Sequence, residues 1–291
     1  MPAFLSRLRE PVVLVEVFAI ANLAALAADI AVAHSVNAFS VWSQWIPLAF
    51  SIAAPIALIW AWRKGGFPPP PRIRGWGWGR LIGLLVGYGA LAIGISGMLE
   101  HLNSHFFERQ TLHHLVYTAP FIAPLAYAGV GFLILLNRMV PGRTSEWAIW
   151  VTLLALGGAI GNFALSLADH AQNGFFYASE WIPVVTAALI VGFVALLPTH
   201  HGHAGFRACS IAALLVSMLV GVVGFLLHAG ANLRGEMTST LDNFIFGAPI
   251  FAPLLFPNIA LLALIALYGL RQAAGRAPAK NSPQRRRGER D

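Results

Sequence analysis

The chain has 291 residues, of which 57% are hydrophobic and only 11% charged, with 19 Lys and Arg against 12 Asp and Glu. A soluble domain carries about 25% charged residues, so a water-soluble enzyme is excluded. The apolar content excludes disorder outside the last residues of the chain, and the single cysteine, Cys209, excludes a disulfide framework or a Cys-rich zinc or iron–sulfur site.

A bilayer core about 30 Å thick needs roughly 20 mostly apolar residues per crossing. Eight stretches meet that need: Val12–Ala33, Ile46–Trp62, Leu81–Leu99, Val116–Leu136, Ala148–Ala168, Trp181–Leu197, Cys209–Leu227 and Phe244–Leu270. The expected fold class is therefore all-α, a polytopic membrane protein of eight transmembrane helices. The first stretch is not read as a cleaved signal peptide. It exceeds the apolar signal core of about 7–15 residues and contains Glu16, Asn22 and Asp29.

Lys and Arg set orientation. Of the 19, only Arg109 and Arg234 fall on the side reached by the loops after the odd-numbered spans. Both termini are expected in the cytoplasm, and the chain in the cytoplasmic (inner) membrane. The basic tail, with Arg285, Arg286 and Arg287, is expected to be disordered and drawn to anionic lipid rather than to nucleic acid. The Pro68–Pro71 run and the following Gly75–Gly79 stretch read as a stiff cytoplasmic connector. His200, His201 and His203, on the same side, read as a solvated loop.

The chain also repeats itself. After the first span it runs His34-Ser-Val-Asn37-Ala-Phe39, then Gln44-Trp45-Ile46-Pro47; after the fifth, His170-Ala-Gln-Asn173-Gly-Phe175, then Glu180-Trp181-Ile182-Pro183. The third span ends Glu100-His101, and Pro120 and Pro124 open the fourth. The seventh ends Leu227-His228, and Pro249 and Pro253 open the eighth. This reads as a duplicated four-helix unit. The expected division is 1–11 N-terminus, 12–138 first unit, 139–145 linker, 146–270 second unit and 271–291 tail. Each unit has an even number of spans, so the copies insert in the same direction, related by an axis along the membrane normal.

That symmetry places His34, His101, His170 and His228 at one depth, at the outer ends of spans one, three, five and seven. Imidazole with carboxylate suits copper, zinc, nickel or iron, and no cysteine lies on this face to favour softer sites. The candidate cofactor ligands are these four histidines. His105, four residues beyond His101, is a further metal ligand, and Asp29, Glu100 and Asp169 are candidate ligands or orienting carboxylates. The aromatic residues around them, including Phe39, Trp45, Phe175 and Trp181, read as an interfacial belt. No Gly-x-Ser-x-Gly, phosphate-loop or His-Glu-x-x-His motif occurs.

The first functional expectation is a redox or metal-handling membrane protein that binds haem b or a copper, zinc or iron ion, with a redox or metal partner in the membrane or periplasm. The general plan of eight spans and duplicated four-helix units is similar to that of haem A synthases. Histidines at repeated outer helix ends likewise resemble the MHYT sensor domains; no sequence motif of either family is present. The alternative is a small-solute transporter without a tightly bound cofactor, with Asp29, Glu16 and Asn22 marking the pathway and the Gly-rich spans packing closely. A non-catalytic subunit of a larger membrane complex is the third reading.

Overall fold

In hydrocarbon every backbone N–H and C=O must find its partner within the segment, which leaves an apolar chain little choice but helix. The computed structural model describes residues 9–63, 77–103, 120 and 122–276. Among them are nine α-helices and no strand: α1 Pro11–Ser35, α2 Trp45–Arg63, α3 Trp78–Asn103, α4 Leu125–Met139, α5 Ser145–Gln172, α6 Trp181–His200, α7 Ala204–Leu233, the short α8 Thr240–Phe246, and α9 Leu255–Ala274. Single 3-10 turns at Trp42–Gln44, Ala178–Glu180 and Ala252–Leu254 lead into α2, α6 and α9. Pro11 opens α1 where its missing N–H is harmless. The Thr144 hydroxyl caps α5 by accepting from Trp147 N at 3.2 Å.

Seven of these helices are long and apolar enough to cross a membrane. Ile56, Leu85, Leu219 and Leu226 stand largely exposed on them, an apolar surface that lipid covers and water does not. The chain has the architecture of a multi-pass membrane protein. Two of the expected spans differ from expectation. The fourth is helical from Leu125, for 15 residues; residues 116–119 and 121 lie outside the described residues. The eighth, expected as one helix over Phe244–Leu270, is two: α8 stops at Phe246 and helix resumes only at Ala252. Gly247 and Pro249 interrupt it, since proline cannot supply the N–H that a continuing helix needs.

Helices α1 to α4 pack in a closed ring, each on the next and α4 back on α1. Helices α5, α6, α7 and α9 close a second ring in the same order. Contacts of α1 with α9 and of α4 with α5 join the rings. One apolar core, with Leu23, Leu58 and Ile134, lies inside the first ring. The other, around Trp147, Val194 and Leu214, extends across the join to Val15, Phe18 and Leu133.

Two polar links cross the same join, Asn22–Asn258 and Asn137–Trp147. Asn22 and Asn258 exchange side-chain hydrogen bonds of 3.1 and 2.5 Å. Beside the second, and within the first ring, Glu16 takes both ends of the Arg138 guanidinium, at 2.6 and 2.5 Å, in a pair almost wholly shut from solvent. Asn137 donates to Glu16 at 3.0 Å and accepts from the Trp147 indole at 3.1 Å, tying α1, α4 and α5 together. This is the basal end of the molecule, where Arg143 pairs with Glu10 and the Tyr268 hydroxyl donates to the Arg9 carbonyl. The C-terminal ends of α1, α3, α5 and α7 form the opposite, distal end.

Candidate functional site

At the distal end the chain leaves α1 through a tight turn. Ala38 and Phe39 take φ values of 54° and 52°, a left-handed conformation that non-glycine residues adopt only when held. The hold is visible: Phe39 N donates to the His34 carbonyl at 3.1 Å, and its ring packs 4.4 Å from Trp45 and 5.7 Å from the His34 imidazole. The same device recurs after α5. Gly174 and Phe175 have φ of 69° and 51°, Phe175 N donates to the His170 carbonyl at 3.1 Å, and the Phe175 ring stacks on Trp181 at 4.0 Å. The aromatic pairs Phe39–Trp45 and Phe175–Trp181, expected as part of an interfacial belt, also clamp the ends of α1 and α5.

The other two histidines share a second device. His101, in the last turn of α3, bonds through Nδ1 to the Pro120 carbonyl at 3.1 Å. His228, toward the end of α7, bonds through Nδ1 to the Pro249 carbonyl at 2.9 Å. A carbonyl can only accept, so Nδ1 carries the proton and the lone pair of the neutral ring sits on Nε2. This is the tautomer of a ligating histidine whose far nitrogen is fixed by a backbone carbonyl.

The two rings then diverge. His34 and His101 come together, with ring centroids 6.3 Å apart and planes at 80°. No corresponding ring contact joins His170 to His228 among the described residues. His170 instead faces Glu180, with Nδ1 3.7 Å from the carboxylate. The first ring has Gln44 in the place of Glu180, and its side-chain oxygen accepts from Val41 N at 3.3 Å. Three buried acceptors near His170, namely Asp169 Oδ1, Gln172 Oε1 and Glu180 Oε2, have no hydrogen-bond donor among the described residues.

Of the expected carboxylates, Glu100 is exposed and within electrostatic range of His101, and Asp29 lies within range of the Tyr127 hydroxyl. Neither these nor Asp169 hydrogen-bonds a histidine among the described residues. His105 lies outside the described residues. Among those described, no group of three or more His, Cys, Asp or Glu side chains is arranged to hold a metal ion. Among the described residues, the distal end of the first ring brings two imidazoles together, His34 and His101.

Of the groups expected to mark a solute pathway, Glu16 and Asn22 are engaged by Arg138 and Asn258. Sequence reasoning missed both pairings, and also Glu180 as the partner of His170. The Glu180 signal was present, because that residue stands ten after His170 as Gln44 stands ten after His34. No protein-family model, curated protein or solved structure matches this chain.

Proposed function

We propose that the chain crosses the inner membrane eight times as two duplicated four-helix units, and that its first unit holds a transition-metal centre between His34 and His101 for redox chemistry or metal handling. The duplication reading is supported by the recurrence, at matching places, of the clamped turn, the His–Pro carbonyl bond and the order of helix packing. Orientation with the basal end in the cytoplasm is supported by charge. Arg63, Arg80, Arg143, Arg207 and Arg271 gather at that end, while Glu100, Asp169, Glu180, Glu236 and Asp242 are distal.

The observation that carries the metal reading is the His34–His101 ring pair. A zinc–imidazole bond of about 2 Å puts the ring centroid about 3 Å from the ion, so two rings sharing one ion lie up to about 6 Å apart. The observed 6.3 Å is close to that limit. His34 and His101 would equally be the residues to hold a haem iron, which would supply redox chemistry there. Copper, zinc and iron are the ions that accept such nitrogen ligands.

The test is metal analysis and a visible spectrum, with and without dithionite, on protein purified in mild detergent without chelators. Stoichiometric copper, zinc or iron is expected, and a reduced haem α-band identifies the iron as haem. Protein that is colourless, metal-free and unable to take up any of these ions overturns the proposal.

A further inference from the structure

A second pair of imidazoles lies at the other end of the molecule, in the turn between α6 and α7. His200 closes α6 and His203 caps α7, so three residues, His201 to His203, make the whole connection. The turn is tightly bonded. His201 N donates to the Leu197 carbonyl at 3.1 Å, His203 N to the His200 carbonyl at 3.0 Å, and Arg207 N to the His203 carbonyl at 3.0 Å. Arg207 also turns its guanidinium onto the His201 carbonyl at 3.3 Å, which occupies that cation within the turn.

In this frame the rings of His200 and His203 are exposed and their centroids are 5.9 Å apart. The separation is again that of two imidazoles about one ion. The Phe206 ring, 5.5 Å from His200, limits how far that imidazole can swing. Thr199 Oγ1 has one proton and gives it to the Leu196 carbonyl at 3.2 Å. With that proton on the carbonyl, Nδ1 donates the 2.8 Å bond to Thr199 Oγ1 and the lone pair stands on Nε2. The His203 ring makes no hydrogen bond among the described residues and is free to rotate toward a shared ion. His201 points elsewhere, because its Nδ1 bonds the Leu197 and Pro198 carbonyls at 3.1 and 3.2 Å.

We infer that His200 and His203 form an exposed, exchangeable two-imidazole site for a divalent transition ion, with water filling the remaining coordination positions. Nickel, copper and zinc bind such nitrogen pairs best. The site stands apart from the proposed distal centre, being built on different helices at the opposite end.

The test is a titration with Ni2+ of the full-length protein, stripped with EDTA in detergent. His200→Gln/His203→Gln is expected to bind one Ni2+ fewer than the parent, and each single substitution to weaken that equivalent at least tenfold. His201→Gln is expected to leave it unchanged, and so is His34→Ala/His101→Ala, whatever becomes of the distal centre. The inference is overturned if the His200/His203 double variant, shown by its thermal transition to be folded, titrates like the parent. It is equally overturned if His201→Gln removes the same equivalent.

Discussion

A single carboxylate in a membrane helix demands an explanation, and for Glu16 the explanation is Arg138. The guanidinium enters where α3 carries Gly83, at which any Cβ would overlap the Arg138 side chain. Removing one partner of a buried ion pair leaves the other charge uncompensated, at a cost of about 3–5 kcal/mol. Glu16→Gln is expected to destabilise the detergent-solubilised protein by about that amount in a denaturant titration. Glu16→Leu with Arg138→Met should recover most of the loss, since apolar replacement of a whole buried pair is often neutral. Unaltered stability of Glu16→Gln would show that the pair contributes little. Sequence reading counted Arg138 among the topology-setting cations and Glu16 as a solute-pathway candidate. Their 122-residue separation gives no periodicity that could join them. The same holds for His34 and His101. Spacing put both at helix ends, but which way each ring turns depends on how α1 and α3 rotate against each other, and hydropathy does not record that.

At the level of elements, hydropathy located six of the eight expected spans as long helices because each is a single apolar run with polar boundaries. It failed at the eighth because apolar residues continue through Gly247-Ala248-Pro249-Ile250 while the backbone does not. Helix contacts in each ring rest on a pair of glycines facing a proline. A Cβ at Gly94 would meet the Pro124 carbonyl at 3.0 Å and Ala128 N at 2.6 Å; a Cβ at Gly221 would meet the Pro253 carbonyl at 2.6 Å. Gly97 and Gly224, one turn on, lie against the same two prolines. Such close approach is how membrane helices gain van der Waals contact without a hydrophobic driving force. Gly94→Ala and Gly221→Ala are each expected to lower stability by about 1–3 kcal/mol through overpacking. Gly157→Ala and Gly192→Ala, where nothing lies within 4 Å, should not. Thermal denaturation in detergent distinguishes the pairs, and equal effects at all four sites would contradict close packing at the prolines.

For the whole molecule, two rings of helices share an interface that is apolar in bulk and polar at Asn22–Asn258 and Asn137–Trp147. Orientation is testable by reporter fusion. Alkaline phosphatase fused after Asn173 is expected to be active and fused after Gly202 inactive, and the reverse pattern would contradict the assigned direction. The proposed function rests on an asymmetry between rings that are otherwise alike. The first pairs two imidazoles, whereas the second sets one against Glu180. The measurement that tests this most directly is transition-metal occupancy of two double variants purified alongside the parent without chelators. His34→Ala/His101→Ala is expected to lose the distal metal or haem while His170→Ala/His228→Ala keeps it. Full occupancy in the first variant, or equal loss in both, would contradict it.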